Sequence, residues 1–483
     1  MSDYLPQELM IDIFTRLPVK SILRFTSLCK TWYSLLTSPI FISMHLNRKQ
    51  DEHILIPYHS RNPEEEVYGL FCDDENLNQY AQFDLPFKRT SCYFNIVGSC
   101  NGLLCLADGH NCYRKHFYLW NPCIRKSVKL PTPIYTFKTH STYDHTQGFG
   151  FDHVTNDYKV VRIVQPTYCL LPPNVELYKL STGVWKDISH GALSCQVFSS
   201  TPHYMNGSSH WIAFKCGDEP TRSMIVLFDM HDETFLEMML PSNLTSKVRQ
   251  CDDMFLSVLE ESLCLVDNNY NESKPVDIWI MRDYGAPESW VKQFSISSLT
   301  LKRNVTLHNG ISGTAFNGRS VSDELEVTHD LVKPMAIRKN GEIVCKTNRR
   351  LLVSGDHVVG KLKYIGIDNS TNGWCHNPLY LNYYKESLVL PDKWTNNCVG
   401  DACEQSSDLC KRERKDGRRK LLRGKTKNRM RIASLLHMSG LLYVSKMKKK
   451  NGCRRRNGRT CKSKGLRCPI NYVALDPLPV VMF

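Results

Sequence analysis

Nowhere in the 483 residues does an uncharged apolar run approach the roughly 18 residues that a membrane-crossing helix needs. The start, Met1-Ser2-Asp3-Tyr4, has neither a basic segment nor an apolar stretch behind it, so no secretory signal is expected. The chain also lacks a P-loop, a dinucleotide-binding fingerprint and a convincing acid/base pair. These absences point to a soluble chain with no membrane partner, expected in the cytoplasm and/or the nucleus. Cysteine is not scarce, at 20 residues, but it is scattered from Cys29 to Cys468. In a reducing compartment such thiols act as small buried hydrophobes rather than as a disulfide framework.

Acidic residues are missing from one region in particular. Residues 411–483 hold 23 Lys+Arg against 3 Asp+Glu, leaving 39 bases and 45 acids in residues 1–410. The overall charge of +14 is therefore the property of one tail attached to a mildly acidic body. Any argument for nucleic acid concerns that tail alone.

At the amino end the pattern is helical. Leu9, Ile13 and Leu17 recur four residues apart, with Met10 and Phe14 beside them. Pro6 suits a first turn and Glu8 complements its dipole, whereas Pro18 must break the helix. A second helix carries Ile22, Leu23 and Phe25, and a third carries Trp32, Leu35 and Leu36. Ser38-Pro39 reads as an N-cap and first-turn proline, opening a last short helix with Phe41. A unit near 45 residues buries too little surface to cover all these groups. Some of Leu5, Pro6, Ile13, Leu17 and Trp32 should face outward, either toward a partner or onto the rest of the chain.

From Leu5 to Leu46 the residues LP..L...I..RLP..S..R....CK.W..L..SP.F...HL resemble the F-box. That resemblance implies docking on a Skp-type adaptor, and through it on a cullin. It also implies that Leu5, Pro6, Leu9, Ile13, Leu17, Pro18 and Trp32 form or support the interface.

Beyond residue 50 the period becomes that of strands, in runs of four to eight residues separated by Gly, Asn, Asp and Pro. Four segments echo one another: 117–122, 175–180, 225–230 and 276–281, with Trp120, Tyr178, Phe228 and Trp279 in equivalent places. Three of them are followed by aromatic-bearing strands beginning at Trp185, Phe235 and Trp290. A repeat near 50 residues with about four strands per unit predicts propeller blades, about six of them. Radial packing covers both apolar faces of each sheet, and the ring should close by pairing early with late strands. A two-sheet sandwich is the alternative. The same stretch resembles the F-box-associated domain of plant F-box proteins, including kelch-like and S-locus members. The likeness rests on GlySerCysAsnGlyLeuLeuCysLeu (98–106), LeuTrpAsnProCysIleArgLys (119–126), GlyPheGlyPheAsp (148–152) with AsnAspTyrLysValVal (156–161), Val175–Leu180 with Trp185, and TyrLysGluSerLeuValLeuPro (384–391). Residues 350–356 depart from it, where an aromatic strand end is usual.

Apparent catalytic constellations have simpler explanations. Gly98-Ser-Cys100-Asn-Gly102 resembles a nucleophile elbow, but Leu103–Leu106 continues as a strand and Asn101-Gly102 suits a tight hairpin turn. His140, His145 and His153 near Asp144 and Asp152 lack ligand-type spacing. No catalytic residue, metal or cofactor is expected.

The expected organisation is an α+β multidomain chain. A three-helix F-box over 1–48, with its short closing helix, precedes an all-β, propeller-like domain over 49–392 and a disordered basic tail over 393–483. Three roles fit the tail. Lys411, Arg412, Arg414, Lys415, Arg418, Arg419 and Lys420 form a nuclear-import candidate or nucleic-acid tether; the run could be solvated with no selected role; or its scattered cysteines could bind zinc. The family resemblance implies a non-catalytic substrate-recognition subunit of a Skp-cullin-F-box ubiquitin ligase, with the β-domain capturing a target protein. Segments 107–117, 165–174 and 214–224 are the candidate target contacts. A nucleic-acid-associated protein acting through the tail and a propeller enzyme are the rivals.

Overall fold

The computed structural model describes residues 6–48 and the strands and turns between 52 and 389. It leaves out residues 60–65, 88–93, 109–115, 137–138, 140–142, 167–171, 191–192, 194, 198–201, 216–221, 246–253, 260, 268–274, 297–304, 308–324, 327–331, 348–350, 356–361 and 369–379. Everything after Val389, including the tail and its import candidate, lies outside the described residues.

Four helices open the chain: α1 Gln7–Thr15, α2 Val19–Thr26, α3 Lys30–Leu36 and α4 Pro39–Asn47. The segment expected as a short closing helix has 9 residues, as many as α1. Pro6 and Pro18 are the N-cap residues of α1 and α2 rather than first-turn residues, so Leu17 falls just outside the helix that its spacing suggested. Ser38 caps α4 as anticipated, its Oγ accepting from the Phe41 amide at 3.2 Å. Phe14, Phe25 and Trp32 meet in a triad with ring centroids 5.0–5.4 Å apart. They pack over a core of Val19, Ile22, Leu36 and Phe41.

Six sheets follow. Blade 1 has strands His53–His59, Glu66–Phe71 and Gln79–Asp84, with Asn382–Tyr384 as its innermost strand. Blade 2 comprises Phe94–Cys100, Leu103–Asp108, Phe117–Asn121 and Lys126–Lys129. Blade 3 comprises Tyr143–Asp152, Asp157–Pro166, Asn174–Lys179 and Val184–Asp187. In blade 4 two inner pieces, Gln196–Val197 and His203–Met205, both pair with Ser208–Lys215, and Arg222–Asp229 and Phe235–Met239 follow. Blade 5 comprises Met254–Leu259, Ser262–Asp267, Val276–Met281 and Trp290–Ile296. Blade 6 is built on Val332–Ile337, Ile343–Thr347, Leu351–Gly355 and Leu362–Asp368, extended by Val305–Leu307 and Leu325–Glu326.

The ring closes as early-with-late pairing requires: His53 opposes Tyr384 and Leu55 opposes Asn382. The four sequence echoes are the third strands of blades 2 to 5. Trp120, Tyr178 and Phe228 are buried there. The aromatic openings of the fourth strands recur for a reason. Trp185 donates its indole N–H to the Pro131 carbonyl at 2.8 Å, and Trp290 donates to Met239 at 3.1 Å. Each indole thus ties a blade to the chain leaving the blade before it. Blades 3 and 4 are joined more firmly. The buried Lys159 ammonium donates to Asp152 at 2.9 Å, to Glu233 at 2.7 Å and to the Met230 carbonyl at 2.5 Å. Burial alone would lower the pKa of this amine, but the two carboxylates more than compensate and raise it.

Candidate interaction surfaces

Helix α1 turns one flank inward through Phe14 and leaves another bare. Leu9 and Ile13, one turn apart, are 52% and 46% exposed. Pro6 and Pro18 are exposed too, while Leu17 and Trp32 are half-buried against the helical core. Leu5 lies outside the described residues. Of the seven expected interface residues, then, four stand open to solvent and two are half-buried. Trp32 spends much of its surface on Phe14 and Phe25. Four further exposed apolar residues escaped the sequence argument: Leu28, Tyr33, Ile40 and Met44. Ile40 and Met44 sit four apart on α4, a spacing that could have revealed them.

The opposite flank of α4 is sealed. Ile42 and Leu46 pack against the propeller core, and Cys123, Ile124 and Leu388 of the propeller enter the helical core. The apolar surplus of the helices is therefore divided: one part docks on the chain's own β-domain, and the part on α1 remains free.

The junction is made by the motifs singled out in the sequence. Asn121 sends its amide N–H groups to the Ser387 carbonyl at 3.0 Å, the Ser387 hydroxyl at 3.2 Å and the Val389 carbonyl at 3.0 Å. Tyr384 donates its hydroxyl hydrogen to the Gly102 carbonyl at 2.9 Å. Asn101 and Gly102 form the expected tight turn, at φ 51° and 74°. A Cβ on Gly102 would lie 2.3 Å from the Ser387 hydroxyl and 2.8 Å from the Lys385 carbonyl, so glycine serves close approach as well as conformation. From this cradle the Lys385 ammonium reaches the carbonyls of Leu46 and, at 3.0 Å, of Arg48, at the end of α4. His45 is buried beside it, its Nε2–H donating to the Leu17 carbonyl at 3.1 Å. Burial, with help from the Lys385 and Arg48 charges, lowers the His45 pKa, so the ring is held neutral.

Strand order fixes what lies at each end of the propeller. An antiparallel blade turns between its first and second strands, and between its third and fourth, at one end. The second-to-third connections leave at the other. The first end is made of tight turns such as Cys100 to Leu103, Asp152 to Asp157 and Met205 to Ser208. Every positive-φ residue among the described residues belongs to this end, including Asn156, Asn206 and Gly183. Here too the chain enters from α4 at His53 and residues 385–389 leave the innermost strand of blade 1. The helices therefore sit at the tight-turn end.

The three candidate target segments are all second-to-third connections, of blades 2, 3 and 4, so they share the far end. Residues 109–115, 167–171 and 216–221 of these segments lie outside the described residues. The strand ends that carry them are pinned. Asp108, buried, accepts from the His116 amide at 3.2 Å and approaches its Nδ1 at 2.6 Å. In blade 3 buried Arg162 pairs with Glu176 and donates to Tyr143 at 3.0 Å, while Glu176 accepts from the Ile134 amide at 2.7 Å.

The discounted chemical groups fall into structural places. Cys100 is buried, and burial pushes its thiol up to about 12, which suppresses the nucleophilic thiolate. Asp152 serves Lys159 and the Thr155 hydroxyl, and these contacts keep it well below the usual carboxylate range. His145 is a strand residue of blade 3, His153 lies in a tight turn, and His140 is outside the described residues. Among the described residues no group of three or more His, Cys, Asp or Glu is placed to hold a metal ion.

Comparison with known proteins agrees with this layout. The family model described as the F-box associated beta propeller domain matches residues 69–390, and the F-box domain model matches residues 3–43. The chain is 28% identical to F-box protein At3g07870 of Arabidopsis thaliana over 428 residues, covering 80% of this chain and 93% of that one. It is 29% identical to F-box protein CPR1 of the same plant, with 60% and 73% covered. Identity to the Arabidopsis F-box/kelch-repeat protein At3g23880 is also 29%, with 61% and 80% covered. The chain belongs to the F-box associated beta propeller domain family, with an F-box at its amino end.

Proposed function

We propose that this chain is the non-catalytic substrate-recognition subunit of a Skp-cullin-F-box ubiquitin ligase. One observation carries the reading: α1 keeps Leu9 and Ile13 exposed although the same four-helix unit is docked on a large β-domain through α4. An apolar face left bare beside a neighbour able to cover it is a partner site. The partner is a Skp-type adaptor, which brings in the cullin. The far end of the propeller, where the connections 107–117, 165–174 and 214–224 leave their strands, receives the target protein. Ubiquitin transfer is then a matter of proximity, since holding target and conjugating enzyme together replaces a bimolecular search. Work in the cytoplasm and/or the nucleus fits this role, with Lys411, Arg412, Arg414, Lys415, Arg418, Arg419 and Lys420 as the import signal.

Affinity capture with three chains tests the assignment. Intact protein should retain adaptor, cullin and target. Leu9→Asp with Ile13→Asp should lose adaptor and cullin but keep the target. A chain with 109–115, 167–171 and 216–221 replaced by Gly-Ser sequence should do the reverse. Retention of adaptor by the double aspartate variant would overturn the assignment. Nucleic-acid retention that disappears on deleting residues 393–483, without any adaptor binding, would favour the tail-driven alternative.

A further inference from the structure

The strongest family-like motifs of the β-domain do not lie at the end assigned to the target. GlySerCysAsnGly (98–102), TrpAsnPro (120–122) and TyrLysGluSerLeuVal (384–389) converge at the helical end, on one short stretch of backbone. Asn121 and Gly102 fix residues 384–389 from below. From that stretch Leu388 enters the helical core, and Lys385 places its ammonium on the final carbonyls of α4. The last carbonyls of a helix have no intrahelical partner and carry partial negative charge, so a cation there satisfies both demands. Here the cation comes from a different domain, more than 300 residues later in the sequence. It does not serve a surface ion pair: Lys385 is partly buried, and its burial lowers the pKa although Glu52 lies near enough to oppose that.

We infer that Lys385 is a positioning residue that clamps the F-box to the propeller, so that the adaptor-binding face of α1 and the far end of the propeller keep one fixed relative orientation. The inference rests on the reading above only for what the two faces hold; the clamp itself is a property of this chain. Ile42 and Leu46 supply the apolar seat, and the Lys385 hydrogen bonds supply direction, because apolar contact alone allows α4 to slide or rotate. A target bound at the far end is then presented at a set distance from the conjugating enzyme, without the averaging that a loose linker would impose.

The test uses the full chain, alone and bound to its Skp-type adaptor, with non-cysteine spin labels at the exposed positions Ser34 on α3 and Thr182 on blade 3. Pulsed dipolar spectroscopy should give one narrow distance for the native chain. Lys385→Met should broaden that distribution at least twofold, with adaptor affinity within twofold of native, and Lys385→Arg should restore the narrow distribution. A Lys385→Met distribution that superimposes on the native one overturns the inference. So does a tenfold loss of adaptor affinity without broadening, because the residue would then merely support the helical fold. Should Lys385→Met fail to fold, Lys385→Gln, whose shorter side chain falls short of the Leu46 and Arg48 carbonyls, takes its place, and a native width there is equally fatal. Failure of the native chain to bind any adaptor would sink the proposed function and leave the comparison of widths in the free chain intact.

Discussion

Asn121 and Ser387, 266 residues apart in sequence, are joined by the Asn121 amide at 3.0 Å from the Ser387 carbonyl. Both are buried, and the bond ties blade 2 to the segment that follows the ring-closing strand. The consequences of that tie, and of the exposed face on the other side of the helices, can be measured.

Leu9→Asp should weaken adaptor binding by about 2–4 kcal/mol, the usual range for a central apolar contact. Because the side chain is half exposed, the unfolding temperature of the free chain should hardly change. Calorimetric titration against a purified Skp-type protein, paired with a thermal melt, separates the two effects. Equal losses in both would mean that Leu9 supports the fold rather than the interface.

Gly102→Ala and Gly207→Ala make a controlled pair. Both glycines have positive φ, 74° and 77°, but a Cβ on Gly207 meets nothing within 4 Å. Gly207→Ala should cost about 1 kcal/mol from backbone strain alone. Gly102→Ala should cost more, about 2–4 kcal/mol, because its methyl would displace Ser387. Denaturant melts that rank the two variants in the opposite order would contradict the cradle described above.

The His45 ring predicts a loss of stability in mild acid. Its folded pKa lies below its unfolded value near 6.5, so the unfolded chain takes up the proton first. The His45 contribution is complete above about pH 6.5 and falls as the pH drops through that value toward the folded pKa. His45→Gln keeps a donor for the Leu17 carbonyl and cannot titrate. Its unfolding free energy should change less than that of the native chain between pH 7.5 and 5.5.

For the blade 3–blade 4 tie the relevant carboxylates are Glu233 and Asp152, both held below their ordinary values; burial opposes this, and bonds to Lys159, Lys179 and Thr155 outweigh it. Their stabilisation is present above the unfolded carboxylate range and is lost as the pH falls through their folded values. Glu233→Gln should therefore destabilise by about 1–3 kcal/mol at pH 7, and the deficit should shrink as the pH approaches 3. A deficit independent of pH would show that shape, not charge, is what Glu233 supplies.

The helices and the third strands were legible because their signals are local. Phe14 and Phe25 follow the 3.6-residue period, and Trp120, Tyr178 and Phe228 recur where the third strands of blades 2, 3 and 4 present an aromatic to the core. Trp32 could be placed in α3, but not divided between interior and interface, since that depends on how three helices cross. The strand that closes the ring was hidden for a similar reason. Asn382–Tyr384 is three residues long, and its partner lies at the other end of the domain. The junction was missed altogether. Lys385 reads as the first of three polar residues, Lys385-Glu386-Ser387, between two apolar stretches, and only the placement of α4 shows what its ammonium neutralises. The far-end segments could be named from sequence because they connect strand-patterned runs, whereas their common end follows only from the strand order.

The innermost strand of blade 1 comes last in the domain, and its pairing with His53–His59 has a consequence for how the chain leaves the ribosome. Blades 2 to 5 are made of consecutive strands and can assemble as they emerge. The helical unit, although synthesised first, must wait without its Leu388 plug and its lysine cap until residue 389 has cleared the exit tunnel. Nascent chains halted before that point would lack the Leu388 contact with the helical core and the Lys385 bonds to the end of α4, although Cys123 and Ile124 would already be present to pack against the helices.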